Sequence, residues 1–379
     1  MIQLTRAYIH VNRFRQNLEA IKKKIGPHCR ICVALKANAY GHGAVPLAHE
    51  AQKSGIVDYI GVATIPEGIE LREAGIHLPI MKFSPCLPEE ILVALQHDLE
   101  ISVADTSLAV DIDRQAKLLG KTAKIQIKLD TGMGRIGFHS SRCVQEIQGI
   151  ANLKNLQIAG IMTHFPVSDV KDKTFTLEQL EIFHSICEKL SESGLSIKLR
   201  HTANSGAILD LPETYLEMVR PGIMLYGYPP SGEVSGSVPI EPVMTLVTRI
   251  SFIKRCYPGE TISYGRTHQI ERETCVATLP AGYADGYNRH LSGKGKVIIR
   301  DRFYPQIGRV CMDQIMVDIG PDPDFSTGEP VILMGKSRTL RFDAFEWAKI
   351  AGTISYEITC NINQRVARVF LYEETSDLS

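Results

Sequence analysis

Ile31-Cys32-Val33-Ala34-Leu35-Lys36-Ala37-Asn38-Ala39-Tyr40-Gly41-His42-Gly43 is an apolar β-run that stops on a lysine and opens into a loop with a tyrosine, a histidine and two glycines. Side chains alternate faces along a strand, so Ile31, Val33 and Leu35 share one side, and Cys32, Ala34 and Lys36 the other. A lysine ending such a strand, over small neighbours, is suited to be a partly desolvated amine. Desolvation lowers an amine pKa from about 10.4 toward neutrality and makes it a nucleophile for a carbonyl. That is Schiff-base chemistry, as practised with pyridoxal phosphate. A lysine snorkelling at a strand end is the plainer reading. The loop residues argue against it.

Outward from this stretch, between about Val11 and Tyr228, short apolar runs alternate with helical patterns. Strand-like runs include Tyr59 to Ala63, Lys124 to Leu129, Leu156 to Met162 and Ile197 to Leu199. Amphipathic stretches such as Ser107 to Leu119 and Leu177 to Leu190 lie between them. Repeated βα units mean an α/β fold with a parallel sheet, and the span approaches the roughly 250 residues of a TIM-like (β/α)8 barrel. Several strands end in polar residues, as at the C-terminal mouth where barrel active sites gather. Lys128 and Asp130 share the polar face of one strand, and Leu156 to Met162 runs into Thr163-His164.

Pro229-Pro230-Ser231-Gly232-Glu233-Val234-Ser235-Gly236 reads as a linker. Beyond it come short β-runs: Thr248 to Lys254, Thr274 to Thr278, Lys296 to Ile299, Ile315 to Ile319 and Pro330 to Met334. One helix follows, capped by Asp343 with Glu346 three residues on and stopped by Gly352. The expected division is a barrel over 11–228 and a mainly β C-terminal domain over 238–379, with residues 1–10 packing against the latter.

Composition leaves this reading open. Of 379 residues, 44% are hydrophobic and 22% charged, and 42 Lys+Arg balance 42 Asp+Glu, which gives no reason to expect nucleic acid or a membrane as partner. Neither a signal peptide nor a membrane-spanning apolar run is visible. Nine cysteines, an odd count without a disulfide-like framework, suit a reducing cytoplasm. Cys29 and Cys32 form a C-x-x-C, but without a second pair they read as strand residues, and no metal is expected.

As a string, Ala34 to Gly43 closely resembles the cofactor-lysine motif of the alanine racemases, a PLP-dependent family. Asp130-Thr131-Gly132-Met133-Gly134-Arg135-Ile136-Gly137 contains a literal G-x-G-x-x-G, yet a charged Arg135 where a pyrophosphate would approach argues against a dinucleotide. It is similar instead to the racemase motif that sets Arg135 beside the cofactor's phenolic oxygen and the substrate carboxylate. The family's lysine at Lys128 is often carbamylated, which would hold Arg135 in place. Leu199-Arg200-His201-Thr202-Ala203-Asn204-Ser205-Gly206 ends a strand at a helix start that favours a phosphate, though capping by Asn204 or Ser205 alone would look the same. The resemblance implies that Asn204, Ser205, Gly222, Ile223, Tyr40 and Tyr356 help bind the cofactor, with His164 against its ring. Arg220 would meet the ring nitrogen. A guanidinium does not readily surrender its proton, so the ring would be a weaker electron sink and proton transfer at Cα would be favoured. A core ion pair for Arg220 is the alternative.

Racemisation needs a base on each face of Cα. Lys36 serves one. Thr261-Ile262-Ser263-Tyr264-Gly265-Arg266-Thr267 is similar to the family's catalytic-tyrosine loop and supplies the other, although a strand tyrosine is more often a packing residue. A phenol acidic near pH 10 needs about 4 kcal/mol of preferential phenolate stabilisation to act near neutrality. The resemblance brings Tyr264, Tyr283 and Met312 to the partner's barrel in a homodimer with shared active sites. It implies interconversion of L- and D-alanine, with D-alanine supplied to peptidoglycan precursors in the cytoplasm. Four departures from the family pattern stand out: Met81-Lys82-Phe83-Ser84, Pro166-Val167 after His164-Phe165, His268, and Arg365-Val366-Ala367-Arg368 without a proline. The first two bear on substrate breadth. A serine or lysine racemase, a decarboxylase on the same fold, and a non-catalytic PLP-binding protein are the competing readings. Arg220 weighs against the decarboxylase and the second domain against the binding protein.

Overall fold

The computed structural model describes residues 4–373. Eight parallel strands follow one another side by side: Met218–Val219, Arg30–Ala34, Tyr59–Val62, Ile80–Lys82, Leu99–Val103, Ala123–Asp130, Leu156–Met162 and Arg200–His201. The ring closes where the Glu217 N–H donates to the Arg200 carbonyl at 3.2 Å and the Arg220 N–H to that of Ala203 at 2.8 Å. Arg200 braces the seam, donating from Nε and Nη2 to the two carboxylate oxygens of Glu217 at 3.0 and 2.7 Å. Helices return the chain between strands, and local chemistry starts them. Thr64 and Glu67 form a reciprocal capping box on the helix Ile65–Glu73, and the Asp105 carboxylate accepts from the Leu108 N–H at 2.8 Å. Barrel strands buried on both faces explain why Arg30–Ala34 reads as a near-continuous apolar run, whereas Leu99–Val103, equally buried, alternates Leu99, Ile101 and Val103 with the polar Glu100 and Ser102.

The second sheet runs Phe252–Cys256, Thr274–Leu279, Ile315–Gly320, Arg302–Ile307, Lys296–Ile299, Pro330–Lys336, Met244–Arg249, Arg6–His10 and Ala367–Leu371. Arg6–His10 pairs antiparallel with Met244–Arg249 and parallel with Ala367–Leu371. Of the amino-terminal segment, residues 1–3 lie outside the described residues, as do 374–379 at the other end. Trp347 and Tyr287, both fully buried with ring centroids 4.8 Å apart, anchor the helix Ala344–Ala351 in this domain's core.

Three local features differ from the sequence expectation. The strand expected at 197–199 forms instead at Arg200–His201, which pair with Ile161 and Met162; the ladder reaches back only to the Leu199 carbonyl, which accepts from the Ile161 N–H. Lys36 does not end a strand: the ladder stops at Ala34, and Lys36 opens the turn Lys36–Tyr40. A second helix, Ser355–Cys360, follows the expected one. Its β-branched and aromatic residues hide it from propensity, and packing on the lysine loop stabilises it, since a Cβ on Gly41 would stand 2.1 Å from the Thr359 carbonyl oxygen.

Arg368 joins the two halves at that loop, with Nε and Nη2 donating to the Gly41 carbonyl at 3.1 and 3.0 Å. Among the described residues no helix is long and apolar enough to cross a membrane.

Candidate active site

A cavity of about 310 Å³ opens at the mouth of the barrel. Lys36, Tyr40, Lys128, Arg135, His164, Asn204, Ser205, Arg220, Gly222 and Tyr356 all line it. Ile223 follows Gly222 into a short 3-10 turn and is fully buried.

Lys36 owes its position to a strained turn. Ala37, Asn38, Ala39 and Tyr40 hold φ between 52° and 54°. Left-handed backbone costs L-residues roughly 1–2 kcal/mol each, so the surroundings must hold it. Glu67 accepts from the Ala37 N–H at 2.6 Å, and the Asn38 carboxamide oxygen accepts from the Ala44 N–H at 2.8 Å. Strain maintained this way marks functional segments. The Lys36 ammonium nitrogen lies 6.0 Å from the Tyr40 ring centroid and 5.9 Å from that of Phe83. Burial, and then the nearby Arg135 guanidinium, lower its pKa.

Tyr40 packs between Tyr226 and Tyr356, with centroids 4.8 and 5.8 Å away and the rings tilted by 31° and 46°. Its hydroxyl faces Gly222, where an added Cβ would sit 2.7 Å from the Tyr40 oxygen and 3.8 Å from Ser205 Oγ. Ser205 Oγ accepts the Gly222 N–H at 2.9 Å. Asn204 does cap its helix, accepting from the Ala207 N–H at 3.2 Å, and its amide also donates to the Phe165 carbonyl at 3.0 Å. Capping and a place in the cavity wall therefore coexist in Asn204.

Arg220 is buried, and its donors can be counted. Nη1 donates to His201 Nδ1 at 2.9 Å and to the His201 carbonyl at 2.6 Å. Nη2 donates to the carbonyls of Thr163 at 2.6 Å and Thr202 at 3.0 Å. Guanidinium carries five N–H groups. Four are committed, leaving Nε–H for the cavity. The alternative of a core ion pair is absent among the described residues, and burial lowers the guanidinium to about 10, still protonated at neutral pH.

Lys128 is buried beside two guanidinium groups. Burial, then Arg220 and Arg135, bring its amine down to about 7. Arg135 itself is exposed at the mouth, on a loop that the Asp130 carboxylate folds by accepting the N–H groups of Gly132 and Gly134 at 3.0 and 3.1 Å. That loop runs into the strand Phe138–His139 and not into a helix, so the glycine pattern lacks the context of a dinucleotide site. Burial and the surrounding cations keep His164 neutral, far below its usual pKa.

Tyr264, Tyr283 and Met312 lie apart from this cavity, and they are 72%, 44% and 53% exposed. They form a group of their own. The Tyr283 N–H donates to the Cys311 carbonyl and the Ala284 N–H to that of Met312, both at 3.0 Å. Ser263 Oγ, beside Tyr264, donates to the Arg309 carbonyl at 2.6 Å. Tyr264 sits in a tight 3-10 turn, not on a strand.

Sequence reasoning overlooked His201 as a working residue, although it stands in the Leu199 to Gly206 motif. A histidine ending a barrel strand one motif away from a buried arginine was the available signal. Pro230 and Ile354, which approach the mouth from the linker and second domain, carried none.

The donor set fits pyridoxal phosphate: a desolvated lysine, a hydroxyl-and-glycine cradle at Tyr40, Ser205 and Gly222 for a phosphate, and one uncommitted Arg220 donor for a ring nitrogen. Comparisons with known proteins agree along the whole chain. Residues 9–230 match the family "Alanine racemase, N-terminal domain" and residues 243–370 "Alanine racemase, C-terminal domain". The chain is 44% identical to the alanine racemase of Treponema denticola over 378 residues, covering 98% of this chain and 99% of that one. It is 41% identical to that of Halothermothrix orenii, covering 97% and 96%. Among solved structures, the alanine racemase of Clostridium difficile 630 superposes with a TM-score of 0.94 at 39% identity, covering 98% and 97%. That of Bacillus anthracis with bound L-Ala-P gives 0.90 at 33% identity, covering all of this chain and 97% of the other. A lysine cavity in a barrel, joined to a mainly β domain and matched from residue 9 to residue 370, places this chain in the alanine racemase family of PLP-dependent isomerases.

Proposed function

We propose that Lys36 and the partner subunit's Tyr264 are the two acid–base groups with which this chain interconverts L- and D-alanine, the D-isomer feeding peptidoglycan synthesis. The single observation behind this is that the desolvated Lys36 amine shares its cavity with Arg220, whose donors are all committed except Nε–H.

Bound pyridoxal phosphate supplies a carbonyl carbon for Lys36 and an electron-withdrawing ring that acidifies the substrate Cα–H. Tyr40, Ser205, Gly222, Ile223 and Tyr356 would hold the phosphate, with Asn204 shaping the wall beside them. His164, kept neutral, would lie against the ring. Arg220 would offer the ring nitrogen its remaining N–H and keep its proton. Arg135 pairs with the substrate carboxylate. Lys36 moves the Cα proton on one face; the partner's Tyr264 acts on the opposite face, with Tyr283 and Met312 shaping the substrate's entry. As one group takes the proton the other returns one, so configuration inverts and charge balances.

A homodimer with shared sites is supported by where the two proposed groups lie: Lys36 lines the cavity, while Tyr264 stands exposed with two other residues of the second domain away from it. Lys128, with an amine near pH 7, suits carbamylation: the neutral amine adds carbon dioxide and releases a proton, leaving an anion for Arg135. We assign residues 11–228 to the cofactor-binding domain and 238–379 to the second domain, in keeping with the two sheets. Nine cysteines without a disulfide among the described residues fit a cytoplasmic protein.

Phe83 and Pro166, from two of the departures from the family pattern, line the cavity and so bear on substrate breadth. The test is racemisation assayed across alanine, serine and lysine, with borohydride reduction to locate the cofactor. Alanine should turn over fastest, and the reduced cofactor should sit on Lys36. Carbon dioxide release, or a cofactor chromophore without turnover of either alanine enantiomer, would overturn the reading.

A further inference from the structure

A line of polar side chains crosses the barrel interior behind Arg220. His201 Nε2 lies 3.2 Å from Gln126 Oε1, and Gln126 Nε2 donates to Glu100 Oε2 at 2.6 Å. These residues sit on the strands Arg200–His201, Ala123–Asp130 and Leu99–Val103. His201 and Gln126 are fully buried and Glu100 is 3% exposed. Isolated polar groups at such depth are costly, so each must satisfy its neighbour.

The direction of every bond in this line is determined. Arginine has no acceptor, so His201 Nδ1 must present its lone pair to Arg220 Nη1. A neutral imidazole then carries its proton on Nε2 and donates it to Gln126 Oε1. Burial and the neighbouring cations keep His201 neutral. With its oxygen occupied, Gln126 turns its NH2 toward Glu100, which can accept. All donors point one way, from Arg220 to Glu100. The amide in the middle cannot relay a proton, so the line transmits orientation only.

We propose that Gln126 and Glu100 are positioning residues that lock the His201 tautomer and thereby fix Arg220 behind the cofactor. If the carboxyl were lost, Gln126 could flip and offer its NH2 to His201. Nε2 would then accept, Nδ1 would carry the proton, and donor would face donor at Arg220. The proposal rests on the reading that Arg220 meets the ring nitrogen, but the tautomer itself can be read without cofactor.

The experiment compares Glu100→Gln, Glu100→Leu and Gln126→Met by imidazole nitrogen NMR of the apo dimer, together with kcat, KM and cofactor absorbance of the loaded enzyme. Wild type and Glu100→Gln, whose carboxamide oxygen still accepts from Gln126, should show His201 protonated on Nε2, with kcat within about twofold of each other. Glu100→Leu should show a tautomer mixture, a shifted cofactor absorbance and a kcat at least tenfold lower, with KM changed less. Gln126→Met serves if Glu100→Leu does not fold, and should move the same readouts. A single Nε2–H tautomer with unchanged kcat in Glu100→Leu or Gln126→Met overturns the proposal. So does an equal loss in Glu100→Gln and Glu100→Leu. A changed tautomer with unchanged absorbance and kcat would instead count against Arg220 at the ring nitrogen.

Discussion

The Phe83 ring occupies the space over Gly61 so closely that a Cβ there would stand 1.9 Å from its Cζ. Gly61 lies on the strand Tyr59–Val62, and Phe83 lines the cavity. The ring is one of two aromatic walls about Lys36. Gly61→Ala should therefore drive Phe83 toward the cavity, at an overpacking cost of about 1–3 kcal/mol. Cofactor affinity, measured by titrating the apo protein, should fall about tenfold or more. Phe83→Leu in the same chain should recover most of that loss. Unchanged affinity in Gly61→Ala would mean that the ring moves away from the cavity.

Lys128 makes stability depend on pH in a direction that can be worked out. Its amine is lowered from 10.5 to about 7 in the folded chain. Between those values the unfolded chain holds a proton that the folded chain does not, so stability rises with pH across that window. Below about pH 7 both states are protonated and the burial penalty is fully present. Lys128→Met should remove it. In carbon-dioxide-free buffer, the Tm gain of the variant over wild type should be largest near pH 6 and shrink toward pH 10. Excess bicarbonate should narrow the gap if the amine is carbamylated.

Much of this site was legible because the chemistry lies in contiguous strings. Lys36 to Tyr40, Asp130 to Arg135 and Asn204-Ser205 are loops at strand ends, and adjacency in sequence is adjacency at the barrel mouth. The placement of Lys36 was less accessible: four consecutive left-handed residues have no composition signal, since neither glycine nor proline marks Ala37 to Tyr40. The helix Ser355–Cys360 was hidden for the opposite reason, because long-range docking overrides its β-prone residues. The line from Arg220 to Glu100 was invisible because it joins strands about 20 to 75 positions apart.

Arg365, at one of the departures from the family pattern, ties the second domain's loops together. It donates from Nε and Nη2 to the Asp285 carboxylate at 2.6 and 3.1 Å, and from Nη2 to Asp313 at 2.7 Å. Asp285 is buried and also accepts the Gly282 N–H at 2.8 Å. Breaking a fully buried pair costs about 3–5 kcal/mol; half exposure of Arg365 reduces that to roughly 1–3 kcal/mol. Arg365→Met should lower Tm by several degrees and lower kcat as well, because the loops it clamps carry Tyr283 and Met312. Asp313→Asn, at the exposed end, should cost under about 1 kcal/mol. A stability loss without a kcat loss would make the clamp purely structural.

Tyr264 stands exposed and apart from the cavity that Lys36 lines in its own chain, so activity should be recoverable from two inactive variants. Lys36→Ala removes the base and cofactor anchor of one barrel, while Tyr264→Phe removes the base offered to the other. Each homodimer then lacks one group at both sites. Random exchange of equal amounts makes half the dimers mixed, and one of the two sites in a mixed dimer is intact, so about a quarter of wild-type activity should return. Each parent alone should stay far below that level. Refolding the mixture together, and following alanine racemisation beside the dimer fraction by sedimentation, separates the outcomes. Mixed dimers without recovered activity would place both bases within one chain, and require Tyr264 to reach the cavity of its own barrel.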